Sequence, residues 1–514
     1  MTAAFIKRAA VGAAGAVSFA GAAAAQTLDE QINAGFASAT GWFVNLIFAP
    51  FPGTSFPWIV AWLVTAATIF TIYFGFIQFR VIKHSIQLVK GDYSDPNDAG
   101  EVSHFQALAT ALSGTVGLGN IAGVAVAVGI GGPGATFWMI LAGLLGMASK
   151  FTECTLGVKY RNEYPDGTVS GGPMYYMTKG FAERGMPGGK VLAVLFAIFC
   201  ILGSFGGGNM FQANQAHQQL AGILGDYPGW ITGVIFAAIV FAVIVGGIKS
   251  IAQVTEKIVP FMGILYVGSA LLIILMNIGN IGWAFGQIFA GAFTSSGIAG
   301  GAVGALIQGF KRAAFSNEAG VGSAAIAHSA VRTKEPITEG FVSLLEPFID
   351  TVVICTMTAL VIIFTQQLVV DAETGMYLLN DNGTIQTVTG ASGVGLTSAA
   401  FASAFSWFPY VLGLAVILFA FSTMISWSYY GLKAWTYLFG EGKGKELTFK
   451  LIFCLFVIIG AAASLGPVID FSDAAIFAMA VVNIIGLYVL MPIVKQEVNS
   501  YLARLKSGEI RKFK

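Results

Sequence analysis

The sequence predicts an all-α polytopic membrane protein of about 11 transmembrane helices. They fall into a 5+5 inverted repeat with two broken helices, plus one extra N-terminal helix. Three observations predict this. Only 10% of the 514 residues are charged, while 56% are hydrophobic. Windows of about 20 apolar residues recur along the chain. Two matched glycine clusters each open a block of five such windows.

Composition excludes several classes. Soluble proteins carry about 25% charged residues, so this chain cannot cover a soluble surface. Disorder requires low hydrophobicity, and nucleic-acid binding requires a basic surface. Neither fits a net charge of +1 and a mean hydropathy of +0.76.

Residues 1–25 read as a cleaved signal peptide. Lys7 and Arg8 form the positive region, an apolar run follows, and Ala22–Ala25 offers a small-residue cleavage site. Residues 26–56 then form a periplasmic or surface segment, with an amphipathic helix near 30–50. The extra helix is 57–79. The first repeat, 102–277, holds spans near 102–129, 132–158, 190–221, 229–247 and 253–277. Residues 281–293 form a re-entrant or surface helix. The second repeat, 300–494, holds spans near 300–328, 338–366, 405–438, 448–466 and 471–494. A basic tail, 495–514, ends the chain.

Charge tests this layout. With the N-terminus outside, every Lys and Arg beyond the leader falls in a cytoplasmic segment, except Lys311 and Arg312 inside the seventh span. The loop 367–404 contains none. Gaining or losing one span would scramble that asymmetry. The expected location is the bacterial inner (plasma) membrane, with a cytoplasmic C-terminus and the lipid bilayer as partner. Cys154, Cys200, Cys355 and Cys454 lie in apolar runs without metal or disulfide spacing, so they read as packing residues.

The second span reads Ser113-Gly-Thr-Val-Gly117-Leu-Gly119-Asn120, and the seventh reads Ser316-Asn-Glu-Ala-Gly320-Val-Gly322-Ser323. Both fit S-x-x-x-G-x-G followed by Asn or Ser. Their blocks enter from opposite sides. Opposed broken helices near the bilayer midplane are the pattern of a secondary transporter. Irregular backbone is tolerated at that depth where it is buried or lines a cavity. Freed amides suit a carboxylate and freed carbonyls suit a cation, so the pair suits a zwitterion. The competing explanation, close helix packing, fits Gly129, Gly131, Gly132 and Gly143.

S-G-T-V-G-L-G-N-I-A-G at 113–123, F-S-N-E-A-G-V-G-S-A at 315–324 and Tyr429-Tyr-Gly431 after Ser422-Thr423 and Trp427 resemble signatures of the alanine or glycine:cation symporter family. The resemblance covers nearly the whole mature chain. It implies a leucine-transporter-like fold and sodium-driven import of alanine or glycine, with sodium as coupling ion and no other cofactor. By this resemblance, substrate contacts fall on Thr115, Gly117, Leu118, Gly119 and Asn120 at the first break. The amides of Leu118 and Gly119 would hold the carboxylate. The carbonyls of Ser113 and Val116 would hold sodium together with Ser422 and Thr423. Phe315 and Ser316 would line the pocket at the second break, and Trp427 would wall it. Glu318 stands where the wider fold relatives have an uncharged residue.

Residue chemistry supplies alternatives at several positions. Sodium takes hard oxygen ligands, which Ser422 and Thr423 offer, but such hydroxyls also bond their own helix. Asn120 either ligates a cation or holds unwound backbone. Asn209, Gln212 and Gln215 form a polar stripe that either lines the pathway or bonds neighbouring helices; Asn209 and Gln212 are the better candidates to touch substrate. Trp427, four residues after Thr423, is a pocket wall or a packing aromatic. Glu153, Glu318, Glu346 and Asp350 require partners inside the membrane. Structural bonding suits Glu153 and Glu346. Arg312 and Asp473 are expected to pair as an outer gate. His84, His104, His217 and His328 have no metal spacing and receive no chemistry.

An intramembrane hydrolase would need a nucleophile with a base or a metal motif, and an ATP-driven pump a phosphate loop; the sequence contains none of these motifs. A channel would not need opposed broken helices. The expected function is alternating-access symport of small neutral amino acids, with proton coupling as the alternative.

Overall fold

A computed structural model describes residues 35–36, 38–165, 167–294, 301–371, 373 and 376–513. The leader expected at 1–25 lies outside them, as does part of the 26–56 segment. Residues 38–47 are helical and amphipathic. Phe43 and Ile47 are buried, while Trp42 and Leu46 are exposed. Phe43 stacks on Phe199.

The helices that organise the molecule are α1 (Trp58–Tyr73), α2 (His104–Thr115), α3 (Gly119–Gly131), α4 (Gly134–Lys159), α5 (Gly189–Leu224), α6 (Gly229–Ile244) and α7 (Gly247–Met276). They continue as α8 (Ile281–Phe293), α9 (Gly301–Asn317), α10 (Ala324–His328), α11 (Pro336–Phe364), α12 (Val394–Ala404), α13 (Phe408–Phe439), α14 (Lys443–Ala462) and α15 (Leu465–Ser507). Among the described residues six helices are long and apolar enough to cross a membrane, and α2–α3, bent by 49°, add a seventh. The remaining expected spans fail that test for local reasons. Helices α1 and α6 have 16 residues each. Helices α9 and α10 are separated by the second break. Helix α14 opens with Lys443, Lys445, Glu446 and Lys450.

Local chemistry sets the ends. Ser103 caps α2 in a reciprocal box with Gln106, satisfying two amides that the first turn leaves free. Asn120 Oδ1 accepts from the Gly117 amide (2.8 Å), replacing a helical bond at the first break. At the second break Glu318, Gly320 and Gly322 have φ of 55°, 80° and 94°. Left-handed backbone there ends α9, and the non-glycine Glu318 costs about 1–2 kcal/mol.

Three boundaries differ from expectation. The loop 367–404 contains α12, whose Thr397 donates to the Ile121 carbonyl of α3 (3.1 Å). Its run Val-Gly-Leu-Thr-Ser-Ala-Ala-Phe is too short to read as a span, yet it buries Leu396 and Phe401. The basic tail is helical to Ser507. Arg504 holds it by a two-pronged pair with Glu335 (2.7 and 2.6 Å). Lys150, assigned from charge to a cytoplasmic segment, is fully buried within α4. Gly129 meets nothing within 4 Å and so does not pack helices, and Gly132 turns the chain at φ 67°; a Cβ on Gly143 would touch Thr351 at 3.0 Å.

Helix α4 packs along α9 and α11, while α5 lies between α13 and α15. Gly340 of α11 permits the first of these approaches: a Cβ there would lie 2.0 Å from Thr155 Oγ1 and 2.9 Å from the Phe151 carbonyl. Gly340→Val is expected to lower stability by about 1–3 kcal/mol through overpacking. Gly263→Ala, with nothing within 4 Å, should leave it unchanged or slightly raised. Thermal unfolding in detergent checks both.

Candidate functional site

The two breaks touch. A Cβ on Gly119 would lie 3.4 Å from Phe315 Cδ1 and 3.4 Å from Ser316 Cα and Oγ. The two segments therefore lie within van der Waals reach of each other at Gly119. Asn120 Nδ2 reaches across to the Asp350 carbonyl (3.1 Å) and carboxylate (2.6 Å) on α11, and to Cys355 Sγ (3.3 Å). Ser316 Oγ lies 3.3 Å from the same sulfur.

Helix α13 closes the first break from the side. Thr423 Oγ1 donates to the Ser113 carbonyl (3.0 Å), and Ser113 Oγ donates to the Ser422 carbonyl (2.7 Å). Ser426 Oγ reaches the Thr110 carbonyl and Ser113 Oγ, both at 3.0 Å. A cluster of hard oxygens therefore forms where α2 unwinds at Val116, whose ψ of 84° ends the helix. A Cβ on Gly117 would lie 2.4 Å from Thr423 Oγ1. Ser422 Oγ bonds the Phe419 carbonyl of its own helix (3.0 Å), and Thr115 Oγ1 bonds Ala111 (3.2 Å). These two hydroxyls follow the local bonding pattern.

Helix α5 supplies the third wall through a π-helical turn, Gly206–Met210. Gln212 Oε1 accepts from the Leu118 amide (3.0 Å), and Gln212 Nε2 donates to the Gly207 carbonyl (2.8 Å). Its oxygen occupies the anion position that the Leu118 amide offers. Asn209 donates to the Phe453 carbonyl of α14 (2.7 Å), and Gln215 Oε1 accepts from the Val394 amide of α12 (3.0 Å). Along the polar stripe, Gln212 meets the break, while Asn209 and Gln215 bond neighbouring elements.

Trp427 is 1% exposed. A Cβ on Gly208 would lie 2.2 Å from its Cγ. Its indole donates to Glu318 Oε1 (2.9 Å), and Glu318 Oε2 accepts from Ser323. Phe315 meets Phe211 edge-on at 5.2 Å. Trp427, Phe315 and Phe211 are thus buried aromatics beside the two breaks. Nearby, Arg312 and Asp473 form an ion pair, 2% and 1% exposed, and Lys311 joins at 3.1 Å. The guanidinium lies 5.2 Å over the Phe315 ring, tying this pair to the pocket wall.

His104 and His328, without a role by motif or spacing, are both buried among carboxylates. His104 Nδ1 lies 2.5 Å from Glu339, and His328 lies 2.5 Å from Glu339 and 3.2 Å from Glu346. The partner of His104 stands 235 residues away in sequence, those of His328 lie beyond a helix break, and proximity to helix ends suggested a surface. Lys150 lies 3.3 Å from Glu346 and 3.8 Å from Glu153. Asn483 of α15 donates to Glu153 (3.0 Å) and to the Gly320 carbonyl at the second break (2.9 Å). Glu339 and Asn483 were also missed, because a lone polar residue in an apolar window carries no spacing signal. The four cysteines are free, and Cys454 alone is half-buried.

Residues 42–514 match the model of the sodium:alanine symporter family. The chain is similar to a sodium/alanine symporter of Methanococcus maripaludis, 40% identical over 89% of this chain and 95% of that protein. It is similar to a probable sodium/glutamine symporter of Bacillus subtilis, 33% identical over 88% of this chain and 89% of that protein. Among solved structures it resembles MhsT in complex with L-phenylalanine. The TM-score is 0.51 at 16% identity, over 75% of this chain and 89% of that one. That likeness bears on the fold, which is the leucine-transporter-like one.

Proposed function

Because the chain belongs to the sodium:alanine symporter family, we propose that it imports a small neutral amino acid, alanine or glycine, by alternating access. It is a multi-pass membrane transporter rather than an enzyme, and sodium-coupled amino-acid symport is its activity class. The observation that carries the finer reading is the contact of the two breaks at Gly119 and Ser316, beside an oxygen cluster on α13.

Each group has a role that follows from its surroundings. The Ser113 carbonyl and Thr423 hydroxyl are hard oxygens on two different helices, so a sodium ion between them would hold α2 against α13. Val116 and Ser422 flank them on the same two helices. The Leu118 and Gly119 amides favour a carboxylate at the start of α3. Gln212 would yield the Leu118 amide when substrate arrives, and Asn120 would keep the Gly117 turn in shape. Trp427, Phe315 and Phe211 restrict the side chain to a methyl group or hydrogen. Arg312 and Asp473 would part to open one face, while α2, α3, α9 and α10 rock against the remaining helices. Sodium that orders the first break raises substrate affinity, and linkage makes the effect reciprocal.

Uptake into proteoliposomes under imposed sodium or proton gradients, with a panel of labelled small amino acids, tests the reading. Concentrative alanine or glycine uptake with sodium alone is expected. A response to the proton gradient alone would favour the proton-coupled alternative. Thr423→Ala should raise the half-saturating sodium concentration about tenfold or more, roughly 1.4 kcal/mol of lost ion binding. Unchanged sodium dependence would remove Thr423 from the ion site.

The gate has its own test. Arg312→Asp and Asp473→Arg should each abolish uptake, since an isolated buried charge costs about 3–5 kcal/mol. The double variant should recover it. Failure of the double to exceed either single, at equal expression, would separate this pair from gating.

A further inference from the structure

One buried cluster lies outside the substrate and sodium positions. Glu339 has an imidazole on each oxygen: His104 Nδ1 on one and His328 Nδ1 on the other, both at 2.5 Å. His328 in turn has a carboxylate on each ring nitrogen, Glu339 at Nδ1 and Glu346 at Nε2. Glu346 passes to Lys150, and Lys150 to Glu153. All are fully buried except His104, which is 3% exposed beside the exposed Ser103.

A neutral imidazole has one N–H and one lone pair. It can donate to Glu339 or to Glu346, not to both; the second contact would set a lone pair against a carboxylate. Charge balance gives the same answer. Three acids, Glu339, Glu346 and Glu153, face three bases, Lys150, His328 and His104. With all three acids ionised the cluster is neutral when both histidines are protonated, and with Glu339 and Glu346 alone ionised one protonated histidine beside Lys150 balances them; in either case a proton on His328, which faces both carboxylates, offsets charge that is expensive at this depth. Glu318, at the second break, stands outside this chain of contacts and has its own donors, Trp427 and Ser323.

The cluster also joins moving parts. His104 begins α2, His328 ends α10, Glu339 and Glu346 are on α11, and Lys150 and Glu153 are on α4. Through Glu153 and Asn483 it reaches the Gly320 carbonyl at the second break.

We propose that Glu339–His328–Glu346 is a proton-binding site, reached from the Ser103 side through His104, whose bound proton on His328 is required for turnover. The transport consequence rests on the symport reading above; the proton site itself does not. With the proton bound, imidazolium clasps α10 to α11. Without it, two carboxylates face a ring that can bond only one of them, and the clasp loosens at the second break. The proton enters and leaves as such, and no covalent bond other than N–H is made or broken.

The experiment uses the full-length purified protein labelled with 13C,15N-histidine. Resonances are assigned by His104→Asn, His217→Asn and His84→Asn as well as His328→Asn, so assignment survives a misfolded variant. At about pH 7.5, where an unperturbed imidazole is mostly neutral, His328 should show both ring nitrogens protonated. A neutral tautomer at that pH overturns the proposal. In proteoliposomes at saturating sodium, alanine uptake by the wild type should fall about fivefold or more between pH 7 and 9.5, as the proton is lost. His328→Gln, which cannot titrate, should show a flat profile at whatever rate it retains, and a wild-type-shaped fall in that variant overturns the coupling. Absence of any sodium-dependent uptake by the wild type would instead count against the symport reading, leaving the resonance result to decide the proton site.

Discussion

Every buried backbone donor and acceptor must find a partner, and in an apolar slab water is not there to supply it. The two helix breaks violate the easy solution, a continuous helix, at the middle of the molecule. They persist because side chains from other helices complete them. Asn120 takes the Gly117 amide, Gln212 takes the Leu118 amide, Thr423 donates to the Ser113 carbonyl, and Asn483 donates to the Gly320 carbonyl. The groups that stabilise the breaks are thus the groups that define the candidate site. Fold and function share one set of hydrogen bonds, so a ligand entering the site must replace some of them.

That sharing explains the distribution of charge. A protein with few ionisable residues still places Lys150, Glu153, Glu318, Glu339, Glu346 and Asp350 in its interior. None stands on the lipid face, where an unpaired charge would cost about 2.5–3.5 kcal/mol on insertion scales. They gather where α4 and α11 cross the broken helices. The Arg312–Asp473 pair is buried apart from them, with its guanidinium over Phe315. Side-chain amides and hydroxyls hold the first break, with Asp350 as the one carboxylate bonded to it through Asn120, while Glu318 sits within the second.

Much of this was legible in the sequence, for identifiable reasons. Matched clusters at 113–120 and 316–323 announced both breaks, for different reasons: Gly320 and Gly322 adopt left-handed φ, while Gly117 leaves room for the Thr423 hydroxyl, 2.4 Å from where a Cβ would stand. The Arg312–Asp473 contact was legible because charges in apolar windows have few places to go. The His104–Glu339–His328 cluster was not. Its members lie up to 235 residues apart, and each alone looks like an ordinary helix end. Helix α12 was hidden because eleven residues fall below any spanning window. Asn209 was ambiguous because a stripe at helical spacing specifies a face but not its neighbour. A π-helical turn at Gly206–Met210 and the adjacent α14 decide that.

Glu318 carries the argument furthest. A carboxylate at positive φ is a double cost, in backbone strain and in buried charge. Its oxygens recover part of that cost by accepting from Trp427 of α13 and Ser323 just after the break. A neutral residue could relieve the charge but could not hold both donors as strongly. The carboxylate therefore ties Trp427, the proposed wall of the substrate pocket, to the backbone of the second break. Any substrate that displaces Trp427 must weaken a charge-assisted bond at the break itself. Pocket occupancy and break geometry then cannot vary independently, which is the physical condition for coupling binding to a conformational change.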